Sequence, residues 1–308
     1  MRLLTADHGS HVSIRTVEAL WAVLEGQGWV RHVAKNPANG QRMDQIIRKL
    51  QVGRWWPGGR GEATFVVLMG PYRIQDYAWS LLRAKSPKSA LMFDVWEQDI
   101  AYVARIMAAY GLDHVFLTAK QSSEMLGAVV GLDRVTWFPE ALPHMPPESP
   151  NLKDRPTDIL QLGRKFVPYH EKIVDAFPSY IFEKVVGQVI YPDEESLNRG
   201  LGEAKISVCF PRSRTHPEIA GSVSTMTQRY LESMANRCLV VGECPPEMRE
   251  LFGYDPMVEA DLSDPAGHLR DLLGRISEFQ DLVDRNYEEV QSRHLLGHRK
   301  DLLRKAEK

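Results

Sequence analysis

The residues with the clearest potential for chemistry form a run of small hydroxyl side chains that leads into a helical pattern. Residues 222–227 include four Ser or Thr, and the apolar residues of the helix predicted at 225–236 fall on one side. Arg229 adds a positive charge near the helix start. A first helical turn presents backbone N–H groups and a positive dipole end, so this pattern is typical of phosphate binding. An ordinary capped helix with a solvated Arg is the alternative interpretation.

Several common signatures are missing from the sequence. It has no Walker A sequence, no G-x-G-x-x-G, no G-x-S-x-G and no H-E-x-x-H. Their absence argues against P-loop kinases, dinucleotide-binding dehydrogenases, nucleophile-elbow hydrolases and zincins. There is also no D-x-D pair to hold a divalent metal on a nucleotide diphosphate. We therefore expect no metal and no other cofactor, and a phosphate ligand would have to be held by other means.

Composition indicates a globular chain with room for two domains. The 308 residues are 44% hydrophobic and 25% charged, with a formal net charge of −2. The longest apolar runs are of strand length, so we expect no membrane span, and the first residues do not resemble a signal peptide. Three cysteines, Cys209, Cys238 and Cys244, match neither a disulfide scaffold nor a zinc site. These features predict a cytoplasmic protein.

The elements that must position these residues alternate between strands and helices, which predicts β-α-β units and parallel sheets. In the first half we predict strands near 1–6, 29–34, 64–69, 89–94, 114–118 and 134–138, and helices at 14–25, 72–84, 97–110 and 121–130. In the second half we predict strands near 157–162, 181–187, 206–210 and 238–242, and helices at 225–236, 245–252 and 265–306.

Six prolines between positions 139 and 156 predict an extended connection between two domains. We place an N-terminal Rossmann-like domain at 1–140, a Pro-rich linker at 141–156, a second domain at 157–285 and a C-terminal helix at 286–308. The predicted fold class is α/β, with two facing Rossmann-like domains and a cleft between them.

Three segments of the chain resemble a known family. The run TQRYLESMANRCLVV from Thr227, followed by PEMRELF from Pro246, looks like the C-terminal domain of GT-B glycosyltransferases, particularly the group related to spore maturation proteins. VTWFPEAL from Val135 resembles the strand and turn before the linker of these enzymes. TDILQLGR from Thr157 resembles the first strand of their nucleotide-binding domain. The likeness covers about 135–295.

This resemblance implies which residues bind a nucleotide-diphosphate sugar, for which a UDP-sugar is the expected form. Glu232 corresponds to the carboxylate that accepts hydrogen bonds from the ribose hydroxyls, and a solvated helix carboxylate is the alternative. Around the diphosphate, the resemblance implies contacts from Gly163, Arg164, Lys165, Lys172, Thr227 and Arg229, for which a free surface cluster is the alternative. The sequence departs from the broader family at Ser224, where an acid is usual, and at Asn236, where Gly is usual.

In the N-terminal domain, two polar positions follow predicted strands. His11 lies in the loop after the first strand, and Asp94 follows the strand that ends at Phe93. Either side chain could deprotonate an acceptor hydroxyl if the anomeric centre is inverted. If configuration is retained, they would orient the sugar or the departing phosphate. Polar surface residues without a role are the alternative.

The net charge divides unevenly, with +7 in residues 1–90 and −9 in the remainder. The basic excess includes Arg54 and Arg60, which flank Trp55 and Trp56 in a Gly-rich stretch. Basic residues beside aromatic ones are typical of nucleic-acid contacts. An anionic glycan or a lipid phosphate would suit the same residues, and a loop whose tryptophans pack on the domain is the alternative.

Together these features predict a metal-independent glycosyltransferase that moves a sugar from a nucleotide-diphosphate sugar to an acceptor hydroxyl. We expect an anionic acceptor, for example a hydroxylated base in DNA. Two other functions stay open: a nucleotide-sugar epimerase of the non-hydrolysing type, and a non-catalytic module that binds nucleotide sugars or nucleic acid.

Overall fold

The computed structural model describes residues 1–5, 14–34, 40–54, 63–185 and 189–307. By the contacts between its residues the chain divides into two compact α/β units. The first comprises Met1–Pro139, Ile219–Val223 and Leu296–Lys308. The second comprises Glu140–Glu218 and Ser224–Leu295. The chain therefore returns to the first unit twice after Pro139.

The first unit contains a parallel sheet with the described strand order β2-β1-β3-β4-β5-β6. Its strands are β1 (Arg2–Thr5), β2 (Val30–Val33), β3 (Ala63–Leu68), β4 (Lys85–Met92), β5 (His114–Leu117) and β6 (Val135–Trp137). Its helices are α1 (Ile14–Glu25), α2 (Gly40–Leu50), α3 (Ala78–Arg83), α4 (Ile100–Tyr110) and α5 (Lys120–Val130). The inner strands β3 and β5, and β4 from Lys88 onward, are almost wholly buried because helices cover both faces of a parallel sheet.

The second unit contains a parallel sheet with the described order β11-β10-β9-β7-β8. Its strands are β7 (Thr157–Gln161), β8 (Ile181–Phe182), β9 (Ala204–Cys209), β10 (Leu239–Gly242) and β11 (Val258–Glu259). Its helices are α6 (Val167–Ile173), α7 (Glu194–Gly202), α8 (Arg212–Thr215), α9 (Pro217–Ala220, whose last two residues pack with the first unit), α10 (Gln228–Ala235), α11 (Pro246–Phe252), α12 (Pro265–Gly274) and α13 (Gln280–Arg293). The predicted α/β class with two parallel sheets is confirmed.

The Pro-rich segment packs as part of the second unit. Leu152 is fully buried, and the buried Arg155 guanidinium donates from Nη2 to the carbonyl of Pro150 at 2.8 Å and from Nη1 to that of Ala204 at 2.8 Å. Arg155 therefore holds the extended chain against the start of β9. A charged side chain at 2% exposure is compatible with folding because these carbonyls hydrogen-bond its N–H groups.

The prediction of one C-terminal helix over 265–306, which overlaps the helix placed at 286–308, is wrong. α12 ends at Gly274, and α13 ends at Arg293. Leu295 then forms a bridge with Leu142, so the backbone leaves the helical path. In the described residues after it, up to 307, the helical turns are 3₁₀ turns at Leu296–Arg299 and Leu302–Glu307. The charged composition of residues 265–306 favours a helix, and it gives no sign of the tertiary contact at which the helical path ends. Helices α2, α6, α7, α8 and α9 and strand β11 were not predicted.

The ends of β9 and β10 approach each other closely at Gly242. A Cβ atom at this position would lie 1.7 Å from the carbonyl oxygen of Cys209, and the N–H of Glu243 donates to the same oxygen at 3.2 Å. Both contacts involve backbone atoms, which cannot move without shifting a strand. Gly242 therefore sets the spacing of the two strands where the chain leaves the sheet.

We expect Gly242→Ala to lower the free energy of unfolding by about 1–3 kcal/mol, because the added methyl overpacks a rigid backbone contact. Urea denaturation followed by circular dichroism would measure the change. Gly274→Ala is the matched control, since a Cβ added at Gly274 would meet no atom within 4 Å. Equal stability of the two variants would contradict the close approach.

Candidate functional site

In the second unit the strand order reverses direction between β7 and β9, which are neighbours with β8 on one side and β10 on the other. In open α/β sheets, ligands bind outside the carboxyl ends of the strands at such a switch point. Gly163 and Arg164 follow β7 at this point. Gly163 has φ +76°, with nothing within 4 Å of where a Cβ would stand, and Arg164 is exposed. The predicted Gly-Arg pair therefore lies at the switch point.

Lys165 and Lys172 both hydrogen-bond to backbone carbonyls. Lys165 Nζ donates to the carbonyl of Glu183 at 2.6 Å and lies 4.9 Å from the centre of the Phe182 ring. Lys172 Nζ donates to the carbonyl of Leu262 at 2.8 Å. These two ammonium groups connect loops beside β8 and β11. Any contact with a ligand would have to compete with these carbonyls.

Helix α10 begins at the same edge, because it is the crossover helix that leads back to β10. Thr227 occupies the N-cap position, and its side chain makes no capping hydrogen bond. In the first two turns, Arg229 Nη1 lies 3.0 Å from Glu232 Oε2, with side-chain exposures of 30% and 22%. The Cys209 thiol at the end of β9 is close enough to be influenced electrostatically by both charges. Thr227, Arg229 and Glu232 thus lie together near the carboxyl ends of the strands.

The buried face of α10 explains why this pair stays at the surface. Tyr230, Leu231 and Met234 are at most 1% exposed and belong to one apolar cluster. Arg229 and Glu232, three residues apart, share the opposite face. The apolar period of α10 therefore fixes which side the charged pair occupies.

Two charged residues at this edge were not predicted. Arg214 in α8 follows β9, and its Nε forms an ion pair with Glu243, which directly follows β10. The Tyr230 hydroxyl donates to the Glu243 carbonyl at 2.9 Å. A search for polar residues immediately after each predicted strand would have found Glu243, whereas Arg214 needs the fold to bring it close.

The three thiols are buried near this edge and along the sheet. Burial raises the pKa of Cys209 to about 11, of Cys238 to about 12 and of Cys244 to about 11. Cys209 lies beside a hydrogen bond of 2.7 Å between Ser207 Oγ and Ser233 Oγ. Since a thiolate is the reactive form, none of the three is suited to nucleophilic chemistry at neutral pH.

In the first unit, Asp94 lies at the carboxyl end of β4. Its backbone has φ +49°, a left-handed conformation that Asp tolerates better than most residues, and the residue is exposed. Downstream, Glu97 accepts hydrogen bonds from Ser222 N at 2.7 Å and Ser222 Oγ at 2.8 Å, and these bonds lower the pKa of its carboxyl group. Asp94 thus occupies the strand end that the sequence predicted.

Among the predicted acceptor contacts, the structure describes the backbone of Arg54, and it does not lie at the same edge of the sheet as Asp94. Arg54 ends a 3₁₀ turn beside Gly53, where an added Cβ would lie 2.3 Å from the backbone of Tyr110. Tyr110 ends α4, just before β5 begins, so the backbone of Arg54 is near the amino ends of the strands. The other predicted residues of the first domain, His11, Trp55, Trp56 and Arg60, lie outside the described residues.

Comparison with solved structures identifies the fold. HepE of Anabaena, solved with UDP and glucose, superposes with a TM-score of 0.59 at 6% identity over 99% of this chain and 98% of its own. Sucrose-phosphate synthase of Thermosynechococcus elongatus gives 0.59 at 13% identity over 98% and 97%. The lipopolysaccharide outer core galactosyltransferase WaaB, in its apo form, gives 0.55 at 8% identity over 99% of both chains.

The chain has the GT-B fold. No family model matches it, and no curated protein matches its sequence. At these identities the likeness concerns the fold, and it confirms the predicted resemblance to GT-B proteins.

Within the described ranges, no group of three or more His, Cys, Asp or Glu side chains is arranged to hold a metal ion. No helix in the described part of the chain is long and apolar enough to cross a membrane.

We expect the folded protein to react slowly with a thiol reagent at pH 8, because burial keeps its thiols protonated and inaccessible. Absorbance after addition of Ellman's reagent would follow the reaction. After unfolding in guanidinium chloride, all three cysteines should react within minutes. Rapid labelling of the folded protein would contradict the buried positions of Cys209, Cys238 and Cys244.

Proposed function

We propose that the protein is a glycosyltransferase that moves a sugar from a nucleotide-diphosphate sugar to an acceptor hydroxyl. The observation that carries this proposal is the placement of the Arg229–Glu232 pair on the first turns of α10, at the switch-point edge of a GT-B fold. HepE was solved with UDP and glucose and also with UDP-glucose, which supports a UDP-sugar as the donor.

In this proposal the second unit binds the donor. The Glu232 carboxylate accepts hydrogen bonds from the two ribose hydroxyls. Arg164, Arg229 and the first-turn N–H groups of α10 face the diphosphate, where they stabilise the negative charge that grows on the leaving group. These contacts use protein cations and dipoles, so the reaction proceeds without a metal. Arg229 is then shared between Glu232 and the phosphate, which keeps both side chains in place.

The first unit presents the acceptor. The bond from the anomeric carbon to the diphosphate oxygen breaks, and the acceptor oxygen forms the new bond to that carbon. If the reaction inverts the anomeric centre, the proton of the acceptor hydroxyl passes to Asp94. If it retains configuration, the departing phosphate takes the proton and Asp94 orients the sugar. His11 is the other predicted candidate for these roles.

We expect Glu232→Ala to weaken UDP binding by about 10- to 100-fold, because charge-assisted hydrogen bonds contribute about 1.5–3 kcal/mol. Isothermal titration calorimetry with UDP, in EDTA throughout, would measure it. Glu288→Ala changes an exposed helix carboxylate of the same unit and should bind UDP like the wild type.

Failure of the wild type to bind any nucleoside diphosphate would overturn the transferase proposal. A requirement for added Mg²⁺ or Mn²⁺ would refute metal independence. Where a donor sugar binds, product analysis with candidate acceptors would separate transfer from epimerisation of the donor and from binding alone.

A nucleic-acid acceptor is a narrower proposal that rests on the sequence around residues 54–60. Arg48, which precedes this stretch in the sequence, pairs with Asp44 at 2.8 Å. With Arg54 near the amino ends of the strands, DNA bound there would have to extend towards the carboxyl edge to present a hydroxyl near Asp94.

We expect the double variant Arg54→Gln/Arg60→Gln to bind a DNA duplex less tightly and with a weaker dependence on salt, because two phosphate contacts would be lost. Fluorescence anisotropy at several salt concentrations would measure both effects. Arg285→Gln and Arg293→Gln, on α13 of the second unit, make the matched control. Unchanged affinity and salt dependence in the double variant would rule out DNA binding by this stretch.

A further inference from the structure

A buried carboxylate holds the loop from which α10 begins. Glu247 lies in the first turn of α11 and is 4% exposed. Its Oε1 atom accepts a hydrogen bond from Thr225 Oγ1 at 2.6 Å and another from the backbone N–H of Met226 at 2.8 Å. A carboxylate is seldom buried to this degree without specific donors, so these bonds are a strong constraint on the loop.

The constraint acts immediately before the helix start. Thr225 and Met226 precede Thr227, the N-cap residue of α10, whose own side chain makes no capping bond. The side chain of Met226 is 1% exposed and shares an apolar cluster with Met248, the neighbour of Glu247. The next helix along the chain, α11, therefore sets the position at which α10 begins. It does so through the hydrogen bonds to Glu247 and through the apolar cluster that Met226 and Met248 share.

The position of this loop determines the direction of the first turn of α10. Hydrogen bonds of Ser233 and Tyr230 attach α10 to the sheet further along the helix. The bonds to Glu247 hold the loop that leads directly into the turns carrying Arg229 and Glu232. The hydrogen bonds that the adjacent residues Thr225 and Met226 donate to Glu247 fix both the distance of the loop from α11 and the direction of its backbone. A displacement of its groups by about 1 Å is enough to weaken a preorganised site.

We propose that Glu247 is a positioning residue for the nucleotide diphosphate: it does not touch the ligand, and it fixes the start of α10 so that the helix N–H groups, Arg229 and Glu232 meet the ligand together. The inference rests on the proposed donor site. It adds a residue that lies outside that site and that entered the sequence resemblance only as part of the PEMRELF segment, without a role of its own.

UDP binding by calorimetry tests the proposal with three variants. Glu247→Ala removes the oxygen that accepts both hydrogen bonds and should raise the Kd for UDP by about tenfold. Glu247→Gln keeps a carbonyl oxygen that can accept from both donors, so its Kd should stay within about threefold of the wild type. Glu250→Gln makes the same chemical change on the exposed side of α11 and should leave UDP binding unchanged.

A second readout separates positioning from mere stabilisation of the fold. With a donor sugar turned over, Glu247→Ala should raise the KM for the donor while the KM for the acceptor stays unchanged. If Glu247→Ala does not fold, Thr225→Val removes one of the two bonds without removing the buried carboxylate, and about a threefold rise in Kd is expected.

The outcomes are distinct. If the wild type binds UDP and folded Glu247→Ala or Thr225→Val binds it equally well, Glu247 has a structural role only and the inference is overturned. If the wild type binds no nucleoside diphosphate, the proposed function fails and the inference fails with it. Loss of affinity in Glu247→Ala, with recovery in Glu247→Gln, supports the positioning role.

Discussion

The parallel direction of every described strand is the constraint on which the candidate site depends. A parallel strand can be followed by another only after a crossover, and each crossover returns the chain to the amino edge of the sheet. Residues that follow β7, β9 and β10 therefore gather at one edge of the second sheet, although they are distant in sequence. Gly163, Arg214 and Glu243 meet this condition, and α10 begins there for the same reason.

Polar contacts then fix α10 on the sheet beneath it. Ser233 bonds to Ser207 on β9, the Tyr230 hydroxyl bonds to the carbonyl after β10, and Glu247 holds the loop before the helix. Each of these groups is buried, so each needs its partner, and together they leave little freedom for the helix to shift. The partly exposed face, with Arg229 and Glu232, is what remains available to a ligand.

The first unit is organised by the same rule but distributes its polar residues differently. Asp94 follows β4 at the carboxyl edge, whereas the backbone of Arg54 lies near the amino ends of the strands. The segment Ile219–Val223 also packs in this unit, where Ser222 bonds to Glu97, directly before the chain enters the loop held by Glu247.

The sequence by itself determined the α/β class, most of the strands and the helix that carries Arg229 and Glu232, because burial in a parallel sheet and on one helix face leaves a periodic apolar record. It did not predict the breaks after Gly274 and Arg293, the pairing of Arg214 with Glu243, or the hydrogen bond from Met226 to Glu247. Those features depend on contacts between residues far apart along the chain. The sequence pattern of polar residues does not indicate which residue each of them contacts. Only the tertiary structure, which brings β9, β10 and α11 to one edge, decided them.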